Sequence, residues 1–203
     1  MVVYYRYLGS PDTFMVKPPS AHTTTTDNYL IRLARTDDLP HLFDIERAAT
    51  LLFKETAHYA LADYIPNDQE KYRRFLATGA VYVASDRGEN LVGFVLAEEI
   101  GHQGFLTELY VYPEHGRRGI GRQLIDAVKR WCIEHGYTEL RLSTFIDVEW
   151  NAPYYARLGF RPIKETDLTP DLLAVRVAES VWGFDVAKTV FMTLSLNRSA
   201  GGG

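Results

Sequence analysis

The stretch "PEHGRRGIGRQL", Pro113 to Leu124, places three glycines and three arginines in twelve residues and runs directly into a helical pattern. Before it, "GFLTELYVYP" reads as a strand stopped by Pro113. After it, Ile120, Leu124, Val128 and Cys132 recur every four residues, and Gly136 stands where a helix would close. At such a helix start several backbone N–H groups have no partner, and the helix dipole adds partial positive charge. Gly116, Gly119 and Gly121 let the backbone close on a ligand without Cβ obstruction, while Arg117, Arg118 and Arg122 add hydrogen-bond forks suited to phosphate. The stretch reads as an anion seat, best matched by a diphosphate. The alternative, a surface turn with solvated arginines, stays open on this segment alone.

Two other glycine loops are excluded. A Walker loop ends in Gly-Lys-Ser/Thr, and here Gly121 is followed by Arg122 and Gln123. The dinucleotide fingerprint needs a third glycine three residues after the second, where this chain has Leu124.

Composition narrows the remaining choices. The 203 residues suit one domain, and 46% hydrophobic with 24% charged residues is enough to bury a core. No apolar run approaches the ~20 residues that cross a bilayer, so no membrane partner is expected. A net charge of −4 argues against a protein built to coat nucleic acid. The single cysteine, Cys132, makes no disulfide framework and no zinc site, which fits a reducing, cytoplasmic setting. "MVVYYRYLGSPDTF" has no signal-peptide h-region. His58, His102 and His115 lack metal-ligand spacing and are expected at the surface, with no metal.

Residues 1–27, with "KPPSAHTTTTD", read as a flexible N-terminal arm, and 198–203 as a disordered tail. Residues 28–197 are expected to form a single domain. There "YLIRLARTDD" is a strand, and "LPHLFDIERAATLLFK" a helix with Asp38 as N-cap and Leu42, Ile45, Ala49 and Leu52 near one face. "DQEKYRRFLATG" is a shorter helix, "AVYVASDRGENLVGFVLAEEI" two strands around a turn, and "ELRLSTF" a strand. "APYYARLG" is a short helix closed by Gly159, followed by a strand start at "FRPI", a helix in "LTPDLLAVRVAESVWG" and a strand in "AKTVFMTLSL". Strands in a meander, then strand–helix–strand, make an α/β (α+β) sheet with helices on its faces.

A second segment, "WNAPYYARLGF" (Trp150–Phe160), forms a short aromatic helix ending in Leu-Gly-Phe. Together, "VYPEHGRRGIG" and "YARLGF" resemble the GNAT superfamily of acyl-CoA-dependent N-acetyltransferases, from about Tyr29 to Leu196. The chain departs from the family pattern at Gly116, where the family has Arg or Gln. The resemblance implies a mixed, mostly antiparallel central sheet of six to seven strands flanked by helices on both faces. It also implies acetyl-CoA as co-substrate, its pyrophosphate on the backbone N–H groups of residues 117 to 122, among them Gly119, Ile120 and Gly121. The pantetheine arm would pair with the strand edge at Leu109 and Val111, where a backbone N–H near Leu109 polarises the thioester carbonyl.

By the same resemblance Tyr155 is the general acid. A phenol with a pKa of about 10 keeps its proton at neutral pH and can give it to a thiolate whose conjugate acid lies at about 8.5. Packing is the alternative role, and a Tyr155 turned into the core would favour a non-catalytic CoA-binding module. Asn151 is a candidate to hydrogen-bond the pantetheine or to N-cap the helix. Glu108 shares a strand face with Tyr110 and Tyr112, opposite Leu109 and Val111, and is the candidate base; a solvated strand glutamate is the alternative. Glu46 is a second candidate, more readily read as an exposed helix charge.

Asp147, Glu149 and Trp150, with Phe145, Glu108 and Tyr110, would rim the acceptor pocket, and an acidic, aromatic rim favours a small cationic amine. The expected function is acetyl transfer to a primary amine, a small amine or amino-acid-like metabolite, by direct attack in a ternary complex. Two alternatives are a protein lysine or N-terminal acetyltransferase, favoured by an open peptide-width groove between Phe53–Ile65 and the last strand, and a CoA-binding sensor. The apolar last strand reads as an edge that needs a partner, so a homodimer is expected.

Overall fold

The computed structural model describes residues 24–25, 28–63 and 69–196. Its strands are β1 (Thr24–Thr25), β2 (Leu30–Leu33), β3 (Ala80–Ser85), β4 (Leu91–Ile100), β5 (Gln103–Val111), β6 (Glu139–Phe145), β7 (Arg161–Pro162) and β8 (Thr189–Ser195). The helices are α1 (Leu39–Thr50), α2 (Ala60–Asp63), α3 (Gln69–Thr78), α4 (Ile120–Glu134), α5 (Ala152–Arg157) and α6 (Pro170–Val181). The strands form one sheet in the order β1-β2-β3-β4-β5-β6-β8-β7, and β5–β6 is the one parallel pair among the described residues. Six strands have four or more residues, so the mixed, mostly antiparallel sheet with helices on both faces is as expected.

Strands β3 and β4 are buried on both faces, which is why "AVYVAS" and "LVGFVLA" are nearly continuous apolar runs. One face packs Leu42, Ile45 and Ala49 of α1 and Tyr72 and Phe75 of α3 against Val83, Phe94 and Tyr110. The opposite face packs Ile120, Leu124, Val128 and Trp131 of α4 against Tyr82, Val95, Leu106 and Leu109. A third cluster sets Leu172 and Val175 of α6 on Phe105 and Phe191. A Cβ at Gly104 would collide with Cys132 Sγ, so the glycine is what lets α4 lie this close to β5.

Several boundaries differ from the sequence reading. Strand β2 stops at Leu33, because the Asp38 carboxylate accepts from Arg32 at 2.7 and 2.9 Å and from the Arg35 N–H at 2.6 Å, curling Thr36–Asp38 into a 3-10 turn. Asp38 therefore holds the N-cap position of α1 without a side-chain capping bond. Thr24 and Thr25, inside the stretch read as an arm, pair with Ile31 and Leu30; the rest of that arm and the tail lie outside the described residues. The last strand is not the outermost one: β8 runs between β6 and β7, the latter pairing with it only at Met192 and Thr193.

What positions the site is the pair β5–β6. They pair only from Gly104–Leu106 to Leu140–Leu142. On the other side of β5, the register with β4 slips between Leu96 and Ala97, leaving Thr107 as an extra residue. Such a bulge bends its strand, and here the bend coincides with the point where β5 leaves β6.

Candidate active site

Around the glycine–arginine loop, the backbone has positive φ at Arg117 (58°) and Gly119 (78°), and α4 starts at Ile120 as expected. Gln123 N–H donates to the Gly119 carbonyl at 3.2 Å, so the N–H groups of Ile120, Gly121 and Arg122 precede the first bond of the helix. Gly119 is the N-cap and brings no side chain to cover them. Arg117, Arg118 and Arg122 are exposed, and Arg118 donates to the Tyr29 hydroxyl at 3.3 Å, 3.2 Å from which lies His115 Nδ1. Tyr29, Arg87, His115, Arg118 and Gln123 line an open groove of about 710 Å³ beside the helix start. With glycine at 116, the basic side chain fixed beside this seat is Arg118.

The seat adjoins the gap between β5 and β6. Tyr112 N–H donates to the Val92 carbonyl at 2.9 Å, and the register pairs Tyr110 with Phe94 and Leu109 with Val95. In an antiparallel ladder alternate residues bond to opposite sides. Leu109 and Val111 therefore direct their N–H and C=O groups away from β4, into the gap, while their side chains pack on the α4 face. Both predicted edge positions are thus presented to the opening.

Across the sheet from Glu108, Tyr155 of α5 is fully buried in the core that holds Leu109 and Ile120, and its hydroxyl has no hydrogen-bond partner among the described residues. Burial, then the neighbouring Tyr154, pushes its phenol well above the usual range. Its ring is held by Phe160, 5.5 Å away edge to face. Asn151 is also fully buried; its carbonyl accepts from Tyr154 and Tyr155 N–H, and its side chain makes no capping bond.

Glu108 and Tyr110 lie on the α1–α3 face, opposite Leu109, and both are fully buried. Glu46, expected to be an exposed helix charge, is fully buried as well. Between the two carboxylates sits the ammonium of Lys71, 3.1 Å from Glu108 and 3.2 Å from Glu46. Tyr110 donates to Glu46 at 3.3 Å, and the Tyr72 hydroxyl also donates to it. Burial opposes the charge of Lys71, but the two carboxylates outweigh it and keep the amine protonated. For Glu108 burial dominates, helped by the charges of Glu46 and Glu98 and opposed by Lys71, and its carboxyl is pushed up to about 8. A group with that pKa can exchange a proton near neutrality.

Beyond Glu108 on this face are the aromatic residues expected at the acceptor side. Phe145 is buried, with the His58 ring stacked on it at 3.8 Å and Phe184 edge-on at 5.8 Å. Trp150 meets Phe53 edge to face at 5.9 Å. Contrary to the surface reading, His58 is tucked in, its Nε2 2.7 Å from Asp147, which lies 3.5 Å from Lys188. His102 is exposed as expected, and Glu149 lies in solvent rather than on the pocket wall. Between α2 and the segment that links α6 to β8 is a cleft of about 280 Å³, lined by His58, Leu61, Trp182, Phe184, Asp185 and Lys188.

A strand edge splayed beside an amide-lined helix start, with a buried tyrosine on the next short helix, agrees with a sequence model of the acetyltransferase (GNAT) family, which matches residues 39–160. The chain belongs to the GNAT family. A pig thialysine N-epsilon-acetyltransferase is 29% identical over 83 residues, spanning 39% of this chain and 47% of that enzyme, so the match covers less than half of that relative. A GNAT-family acetyltransferase from Staphylococcus aureus Mu50 has the same fold, with a TM-score of 0.63 over 83% of this chain and 99% of that one at 19% identity. PaiA N-acetyltransferase from Thermoplasma acidophilum, solved with coenzyme A, gives 0.61 over 82% and 98% at 19% identity.

Within this GNAT chain, sequence reasoning missed Lys71, Tyr72 and Tyr29 and undervalued Glu46 and His58. For Glu46 a signal was present: it is four residues from Leu42, on the stripe that α1 buries. Lys71 likewise lies four residues before buried Phe75.

Proposed function

We propose that the protein is an acetyl-CoA-dependent N-acetyltransferase acting on a small primary amine or amino-acid-like metabolite. The observation that carries this is the open edge of β5 at Leu109 and Val111, continuous with the uncapped N–H groups of α4. A diphosphate carrying an amide-bearing arm fits both at once. The coenzyme A bound by the Thermoplasma relative supports the same ligand.

Acetyl-CoA supplies the activated acetyl group when bound. The N–H groups of Gly119, Ile120 and Gly121 and the arginines at 117, 118 and 122 hold its pyrophosphate. Leu109 and Val111 pair with the arm through their backbones, Asn151 hydrogen-bonds it, and the Leu109 N–H polarises the acetyl carbonyl. Glu108 takes one proton from the incoming ammonium through a water, so that the free amine attacks carbon, and the nitrogen gives up its second proton to water as the carbon–sulfur bond breaks. Tyr155 donates its proton to the departing sulfur. Tyr110, Phe145 and Trp150 line the acceptor side with Glu108. The name of the pig relative points to an amino-acid amine. A cytoplasmic homodimer completes the reading, with the outer edge of β8, which β7 pairs only at Met192 and Thr193, as its contact.

A second reading, a CoA-binding module without turnover, is favoured by the complete burial of Tyr155. The deciding experiment is thiol release from acetyl-CoA with polyamines, aromatic amines, amino acids and lysine peptides, beside Tyr155→Phe. Release stimulated by small amines and slowed in the variant supports the enzyme. CoA binding without release from any amine supports the module.

A further inference from the structure

The arrangement around Lys71 is uneven. Glu46 accepts from three donors, Lys71, Tyr72 and Tyr110, on α3 and β5. Glu108 accepts from Lys71 alone among the described residues, at 3.1 Å to each carboxylate oxygen. The charged groups facing Glu108 are Lys71 from α3, Glu46 from α1 and Glu98 from β4. Glu46 adds negative charge beside it, and so does Glu98 as it ionises, its carboxyl pushed up to about 7 by burial. A fully buried carboxylate with such neighbours sheds its charge by protonating, and a protonated Glu108 accepts no proton from an amine.

We propose that Lys71 is a positioning residue for the reaction: its ammonium, clamped between Glu46 and Glu108, holds the Glu108 carboxyl in place and favours its charged form. Glu46, locked by the two phenols, is the anchor that keeps the Lys71 ammonium there, which also stands 4.7 Å from the centre of the Tyr72 ring. The division of labour follows from the bonding: Glu46 is fully engaged, whereas Glu108 depends on one charge. The inference rests on Glu108 as the base.

The test follows Glu108 directly, by carbon NMR of protein labelled at the glutamate carboxyls, the signal being assigned by its loss in Glu108→Gln. In Lys71→Met the titration midpoint of Glu108 rises by about one pH unit or more, and Lys71→Arg returns it toward the wild type. In Glu46→Gln the ammonium loses its anchor and the midpoint rises as well; a fall would show that Glu46 acts on Glu108 only as a like charge and overturn its anchoring part. Lys71→Gln, with a donor but no charge, serves where Lys71→Met does not fold. In parallel, the acidic limb of kcat/KM for acetyl-CoA and the best amine of the panel moves with the NMR midpoint. Midpoints unmoved in folded Lys71 and Glu46 variants overturn this inference alone. Midpoints that move while the limb stays fixed overturn Glu108 as the base, and with it any part of Lys71 in the reaction.

Discussion

Phe160 N–H donates to the Tyr155 carbonyl at 3.1 Å, while their rings meet edge to face. The two bonds that close α5, this one and Gly159 N–H to the Ala156 carbonyl, require a left-handed residue between them, and Gly159 supplies it at φ 94°. The Leu-Gly-Phe ending is thus a clamp on Tyr155. Gly159→Ala meets only Leu194 at an ordinary 3.4 Å, so its cost is backbone strain of about 1 kcal/mol. The expected result is a lower melting temperature together with a fall in acetyl transfer, and unchanged kinetics in the folded variant would show that the clamp does not matter to Tyr155.

Removing the Tyr155 hydroxyl separates packing from chemistry. That oxygen is buried without a partner among the described residues, so Tyr155→Phe leaves stability unchanged or raised. In the proposed role of general acid, its loss would slow turnover by roughly 100-fold. Thermal denaturation beside steady-state kinetics reads both; a rate within about twofold of wild type would leave Tyr155 as a packing residue.

Arg118 is held beside the helix start by Tyr29. Arg118→Ala is expected to weaken coenzyme A binding roughly tenfold, the worth of one charge-assisted hydrogen bond, and to flatten its dependence on salt. Calorimetric titration at low and high ionic strength checks both. Equal affinity in wild type and variant would mean that the backbone amides suffice.

Glu179 on α6 is buried, and burial pushes its carboxyl up to about 7, against the charge of Arg176 and hydroxyls of Ser143 and Thr189. Its folded pKa exceeds its unfolded value of 4.5, so the native state keeps a proton that the unfolded chain loses. Stability therefore falls as pH rises from 4.5 through 7, by up to about 3 kcal/mol, and the penalty persists above. Glu179→Gln should be more stable than wild type at pH 8 and similar at pH 4.5 by chemical denaturation. A constant difference across that range would assign the effect to packing instead.

By itself the sequence determined what depends on a few neighbouring residues. The start of α4 at Ile120, its closure at Gly136, the clamp at Gly159 and the strand face shared by Glu108 and Tyr110 follow from glycine's freedom, orphan N–H groups and strand alternation, all local properties. Tertiary structure alone decided which charges are dry and whom they meet. Lys71 reaches Glu46 across 25 residues and Glu108 across 37, and only the packing of α1 and α3 on one face of the sheet brings the three together. The opening of β5 from β6 also needed the third dimension, because a bulge at Thr107 is a relation between strands that neither strand spells out alone. A buried charge is set by its surroundings, and those come from distant parts of the chain.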